Sequence, residues 1–165
     1  MTESIRDDFR LALRRFPSGV TVVTAQPEVG PPQAMTVSAF CSVSMDPPLV
    51  LVCLSRTGRA ATAIAEEECF VVNLLSSGQE DDSRACTAAC DDRLAGVAWC
   101  PGANGAPILT RAAASLECER YALYPGGDHV ILVGRVTGVR LHEQADPLAY
   151  HDGCYASVAP RLMAG

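Results

Sequence analysis

Thr36, Ser38, Ser42 and Ser44 fall on alternate residues of the stretch 35–44. Strand side chains alternate with period two, which predicts that these hydroxyls share one face with Phe40. Val37, Ala39, Cys41 and Val43 then take the other face. Further along, Ser55-Arg56-Thr57-Gly58-Arg59 precedes an alanine-rich helical stretch from Ala60 to Glu67. Hydroxyls, free backbone N–H groups and guanidinium groups at a helix N-terminus make a seat for a phosphate monoester. The same pattern also suits a half-buried strand followed by an ordinary capped helix. A second constellation is Gly126-Gly127-Asp128-His129, where a histidine stands at the mouth of a strand. It can donate to a ligand with Asp128 beside it, or the turn's polar groups can simply satisfy backbone.

The elements that must position these residues read as mostly β. Ile5, Phe9, Leu13 and Phe16 recur at helical spacing, and Ser4 with Asp7 resembles a capping-box start. Pro17-Ser18-Gly19 ends that helix, and Val20–Ala25 makes a first strand. Gly30-Pro31-Pro32 turns the chain into the hydroxyl-lined segment, and Asp46-Pro47-Pro48 turns it again into Leu49–Leu54, a buried strand. Phe70–Leu75 is another strand. Residues 76–111 are the least regular part, with an acidic, cysteine-containing helical piece and a loop over 99–105. Ala113–Leu123 and His129–Leu141 read as long strands of a hairpin joined through 125–128, and the aromatic-containing tail 147–158 reads as ordered. Many short strands without β-α alternation favour an antiparallel barrel of six or seven strands in a single domain over 1–165.

Composition narrows the partners. The chain of 165 residues is 48% hydrophobic, with a mean hydropathy of +0.15, which suits one packed globular domain. Net charge is −6, and all 13 cations are arginine, with no basic cluster. That balance argues against nucleic acid or an anionic membrane as partner. The N-terminal stretch resembles no signal peptide and no apolar run approaches a membrane span, so a cytoplasmic location is expected. The eight cysteines mostly sit inside apolar strand patterns, without C-x-x-C or zinc-type spacing. All eight are expected to be thiols with no metal bound, the Cys86/Cys90 pair included. G-x-G-x-x-G and Walker A loops are absent, so a nucleotide-like ligand would bind by other means.

In five ordered blocks the chain resembles the short-chain flavin reductases of two-component flavin-dependent monooxygenases. The blocks are FRLALRRFPSGVTVVTA at 9–25, MTVSAFCSVSMDPPLVLVCL at 35–54, CFVVNLL at 69–75, GGDHVILVGRV at 126–136 and PLAYHDGCYASV at 147–158. The resemblance implies a mainly β, antiparallel Greek-key split barrel of the FMN-binding type with a few flanking helices. It implies a homodimer, joined through an apolar sheet surface, that uses NADH or NADPH to reduce FMN or FAD. The reduced flavin would then pass to a separate oxygenase. It also implies that Met35, Thr36, Val37, Ser38, Ala39 and Ser42 hold the flavin together with Cys53, Leu54, Ser55, Arg56, Thr57 and Arg59. Tyr155 of the last block joins them, while Asp128 and His129 serve catalysis beside the nicotinamide.

The implied chemistry suits these residues. Hydride passes from nicotinamide C4 to flavin N5, so the protein need only stack two rings and exclude competing geometry. Backbone amides of 36–39 and 54–57 are expected to pair with the flavin's polar edge and phosphate. His129 is then a nicotinamide-positioning group rather than a proton donor. Two departures stand out: the segment after Gln79 is Glu80–Cys86 where such reductases carry aromatics, and Leu94 stands where phenylalanine is common. Another functional class remains open, a flavin-binding protein or a tailoring enzyme of specialised metabolism that keeps the fold without releasing reduced flavin.

Overall fold

The valine-rich runs become strands that pair side by side. The structure is a computed structural model describing residues 3–142 and 145–158. In chain order the elements are α1 (Glu3–Arg14), β1 (Ser18–Gly19), β2 (Thr21–Ala25), β3 (Gln33–Val37), β4 (Phe40–Met45), β5 (Pro48–Ser55), α2 (Arg59–Glu66) and β6 (Cys69–Leu74). There follow α3 (Glu80–Ala85), β7 (Trp99–Pro101), β8 (Pro107–Leu109), β9 (Ala114–Gly126), β10 (His129–Leu141), β11 (Leu148–His151) and β12 (Cys154–Ser157). Seven strands form the main sheet in the order β3-β2-β6-β9-β10-β5-β4, and every ladder in it is antiparallel. The fold is therefore mainly β with antiparallel sheets and few helices, as expected.

One face of that sheet is packed shut. Val23, Val37, Val50, Val52, Leu54, Phe70, Val72, Cys118 and Leu132 come from six strands and meet Ala61 and Ile64 of α2 in one core. Strand β2 is buried throughout because its alternate residues serve different cores. Val23 belongs to the first, while Val22 packs with Leu75, Leu94, Leu109 and Leu148 in a second. A strand covered on both faces reads as a continuous apolar run, which is how Val20–Ala25 appears. The polar side chains buried there are paired. The Asn73 amide donates to the Val22 carbonyl (3.1 Å) and Thr24 Oγ1 (3.2 Å), and its oxygen accepts from Leu109 N–H and Ser115 Oγ.

Several expectations need correction. The hydroxyl-bearing stretch 35–44 is two strands, because β3 pairs with β2 while β4 pairs with β5 at the opposite edge of the sheet. The chain breaks between them at Ser38-Ala39, where Phe40 N–H donates to the Ser38 carbonyl at 3.0 Å. That break changes the side-chain parity, so Phe40 packs against the same core as Val37 and keeps Ser42 on its face, but parts from Thr36. Residues 99–101, expected as loop, form β7 and pair with β8. Ser4 lies inside α1, and the position ahead of that helix falls outside the described residues. Strand β9 runs to Gly126, leaving Gly127 (φ 74°) and Asp128 as the hairpin turn. Glycine suits that left-handed position because it has no Cβ to clash. All eight cysteines are free thiols, as expected.

Candidate active site

The ladder between β5 and β10 joins the two chemistry-bearing segments. His129 pairs directly with Ser55, and Arg56 N–H donates to the Asp128 carbonyl at 3.0 Å. Residues directly opposite in an antiparallel pair point to the same face, so Ser55 and His129 share theirs, as do Cys53 and Ile131. This is the outer face, since Val50, Val52 and Leu54 alternate into the core. His129 Nδ1 lies 2.7 Å from Asp128 Oδ1. That hydrogen bond, aided by the imidazole's charge, holds the Asp128 carboxyl below its usual range. The histidine ring is thus oriented by its neighbour while remaining open to a ligand.

The turn after β5 leads into α2. Ser55 Oγ and Thr57 Oγ1 are 3.0 Å apart, and Thr57 N–H donates to Ser55 Oγ at 3.4 Å. Helix α2 has Gly58 at its N-cap, with no capping side chain and no acidic residue in its first turn. Its first N–H groups are therefore left for an anion, at the positive end of the helix dipole. Arg56 and Arg59 are exposed beside it, and Arg59 is ion-paired with Asp91.

Two cavities meet at the break between β3 and β4. The first, about 590 Å³, is lined by Thr36, Ser38, Ser83, Arg84, Thr87, Cys154 and Tyr155 among others. The second, about 810 Å³, is lined by Ser38, Ala39, Cys41, Leu51 and Cys53 with Leu13 and Phe16 from the N-terminal segment. Ser38, Tyr150 and Gly153 border both. Side chains clamp the wall of the first. Thr36 Oγ1 donates to the Ser83 carbonyl (2.7 Å), the Tyr155 hydroxyl donates to Ser83 Oγ (2.9 Å), and the Arg84 guanidinium lies 4.9 Å over the Tyr155 ring. Helix α3 is held from behind by Asp82, whose buried carboxylate accepts from Gln79 Nε2 and Arg111 Nη2, each at 2.9 Å.

The expected residues thus fall into three groups. Ser55, Arg56, Thr57, Asp128 and His129 come together at the hairpin end, Ser38, Ala39 and Cys53 line the larger cavity, and Thr36, Ser38 and Tyr155 line the smaller. Arg59 stands at the start of α2. Val37 and Leu54 send their side chains into the core, and Met35 packs against it, so their backbones alone can meet a ligand. Ser42 is exposed on β4 and lines neither cavity. The expectation that amides 36–39 and 54–57 bind the ligand narrows. Thr36 N–H goes to the Cys86 carbonyl, Arg56 N–H to Asp128 and Thr57 N–H to Ser55. Sequence reasoning missed Ser83, Arg84, Thr87 and Tyr150. The signal for the first three was the unusual composition of 80–87, the very segment that departs from the aromatic pattern, and Tyr150 stands in the 147–158 block.

Residues 13–159 match the family model described as flavin reductase like domain, and the chain belongs to that family. It is 42% identical over 155 residues to the stachydrine N-demethylase reductase subunit Stc3 of Rhizobium meliloti, covering 94% of this chain and 66% of that one. It is 43% identical over 169 residues to the NADH-dependent FMN reductase AsuE2 of Streptomyces nodosus, covering 95% and 87%. The chain spans about two thirds of the first relative and 52% of a second Rhizobium protein named a probable flavin reductase. Among solved structures, the NADH:FAD oxidoreductase SgcE6 of Streptomyces globisporus, in complex with NAD and FAD fragments, superposes with a TM-score of 0.90. It is 33% identical, covering 98% of this chain and 97% of that one.

Proposed function

We propose that this chain is an NAD(P)H-dependent flavin reductase that passes hydride from a nicotinamide to FMN or FAD and supplies reduced flavin to a separate oxygenase. The observation that carries the reading is the pairing of His129 with Ser55, which sets the candidate nicotinamide residue and the candidate phosphate turn side by side. Relatives named as NADH-dependent reductases and as a reductase subunit support it.

The residues present fit a phosphorylated flavin. The uncapped start of α2, the Ser55 and Thr57 hydroxyls and the Arg56 and Arg59 guanidiniums converge on a phosphate seat. The groove beyond it, past Cys53 to Ser38, has half-buried Phe40, Leu51 and Cys53 and exposed Leu13 and Phe16 in its walls, and room for a tricyclic ring. A bound flavin supplies the N5 that accepts hydride. The protein's part is orientation: Asp128 fixes the His129 ring, and His129 offers its other nitrogen toward a carboxamide. Ser38, Ala39 and Cys53 border the ring space, while Tyr155 and Thr36 brace the α3 wall of the adjoining smaller cavity.

The sheet is read as a single-domain Greek-key split barrel. Its two edge strands, β3 and β4, are separated in the chain only by Ser38 and Ala39, and six of its strands feed one core. The chain is read as a homodimer, because α1 leaves Ile5, Phe9 and Leu13 exposed, and Tyr121, Leu123, Val139 and Leu141 add apolar surface on the hairpin. Light scattering that returns a stable monomer at micromolar concentration overturns the dimer. Free thiols throughout accord with a reducing cytoplasm.

Stopped-flow bleaching of FMN and FAD by NADH and NADPH in turn tests the function. The expected result is colourless protein that turns over added flavin with at least one nucleotide. Yellow flavin that copurifies and is bleached by neither nucleotide overturns it in favour of a non-releasing flavoprotein.

A further inference from the structure

The segment after α3 links β3 to the start of α2. It begins against β3, where the Cys86 carbonyl accepts from Thr36 N–H. Arg93 Nη1 then reaches back to the Ala34 carbonyl at 3.2 Å, and Arg93 Nε to the Ala88 carbonyl at 2.9 Å. Between these anchors the loop places Asp91 against Arg59, at the first turn of α2. Helix α2 carries no acidic residue of its own in that turn and no side-chain cap. The carboxylate facing the candidate phosphate seat therefore comes from a different part of the chain, delivered by a loop tied down on both sides.

We propose that Asp91 is an internal competitor for the ligand's phosphate, occupying Arg59 when flavin is absent and weakening the hold on phosphorylated flavin. This inference rests on the reading of the Ser55–Arg59 turn as the phosphate seat. A phosphate entering that seat meets an arginine already neutralised by Asp91. Both side chains are mostly exposed, 86% for Arg59 and 80% for Asp91, so exchanging one partner for the other requires little desolvation. The consequence is a reductase tuned to let go of its flavin. Loosened binding is the property that a protein handing reduced flavin to an oxygenase requires. The competition is specific to the phosphate, because Asp91 meets Arg59 at the start of α2 and lines neither cavity.

Equilibrium titration of the full chain with FMN and with riboflavin, which lacks the phosphate, tests this in wild type, Asp91→Asn, Arg59→Ala and the double variant. Asp91→Asn is expected to tighten FMN about threefold to fivefold, the scale of an exposed ion pair, and to leave riboflavin unchanged. The gain is expected to shrink as salt rises from 50 mM to 500 mM and to vanish when Arg59 is already alanine. Unchanged FMN affinity in Asp91→Asn overturns the proposal, and so does equal tightening of riboflavin, which would make Asp91 a loop-folding residue. A gain that persists in the Arg59→Ala background overturns it as well. Failure of the underlying reading looks different: Arg59→Ala alone would then leave the preference for FMN over riboflavin intact.

Discussion

The two sides of the candidate site are held in place by different physics. At the hairpin end, Ser55 and His129 owe their positions to a ladder: β5 and β10 pair in register over Ser55–Leu49 and His129–Arg135, and each side chain points where the backbone sends it. At the α3 side, position depends on side chains reaching across the fold. Thr36, Ser83 and Tyr155 meet though they are 47 and 72 residues apart in sequence. The ladder is cooperative and joins two interior strands of the sheet, whereas the α3 wall is a six-residue helix with few buried side chains. A rigid face beside a lightly held wall is an arrangement that can keep a nicotinamide oriented while admitting and releasing a flavin.

The largest expected effect measures this contrast directly. Cys118, in β9, and Cys86, at the end of α3, are both fully buried, and burial pushes both thiols up to about 12. Their chemistry in the closed state is therefore matched, and any difference in labelling reports opening. Maleimide labelling at pH 8 is expected to modify Cys86 on the order of a hundredfold faster than Cys118, since local opening costs far less than global unfolding. Exposed Cys41, Cys90 and Cys154 should react at once. Equal rates for the two buried thiols would erase the contrast. The same shifts set an alkaline limit. Folded thiols keep their protons above the ordinary value of 9.0, so the unfolded state sheds protons first. Stability is thus fully present below about pH 9 and is lost as pH rises toward 12.

Next in size is a substitution in the ladder. A Cβ added at Gly134 would run into the Phe70 ring and lie 3.0 Å from Cys118 Cβ, both in the core. Gly134→Ala is expected to cost roughly 1–3 kcal/mol by overpacking. Because Gly134 shares β10 with His129, it should impair flavin and nicotinamide kinetics together. A variant with wild-type melting temperature would mean that the ladder is less tightly packed than the structure has it.

Its counterpart at the wall is Asp82→Ala, which strands Gln79 and Arg111 without their carboxylate. A loss of about 1–2 kcal/mol is expected, chiefly from leaving the buried Gln79 amide unpaired. Here the signature should be selective: flavin Kd rises while the nicotinamide KM holds. If both parameters move together, the two sides are one mechanical unit.

This division also explains what could be read in advance. The strands were legible because β2, β5, β6 and β10 are apolar runs whose period reports burial. The Gly-Asp-His turn was legible because a two-residue connection needs a residue at positive φ, which Gly127 supplies. The break at Ser38-Ala39 was not, since a local alternation pattern carries no sign that its halves pair with opposite edges of a sheet. Nor was the role of Ser83 or Tyr155, whose contact depends on tertiary placement. Asp91 meets Arg59 for the same reason, unannounced by any spacing.

The smallest predicted change, and the one that fixes the meaning of the ladder side, concerns His129. Its ring is held by Asp128 and stands on the same face as Ser55, partly exposed. If it orients the nicotinamide, His129→Ala should raise the NADH KM about fivefold, the scale of one lost hydrogen bond. Flavin affinity should stay near wild type, because the candidate phosphate turn keeps its own contact through Arg56 N–H to the Asp128 carbonyl. That contact uses main chain and survives the substitution. A bond made equally in ground and transition states appears in KM, whereas one made only during transfer appears in kcat. His129→Asn, which keeps a donor at similar reach, should recover part of the loss, and Asp128→Asn should produce a milder version of it by freeing the ring. A purely structural histidine predicts the reverse: a lowered melting temperature in His129→Ala, no rescue by asparagine, and hydride-transfer rates in single-turnover flavin reduction that match wild type. Melting temperature measured beside single-turnover kinetics on the same three variants decides between them.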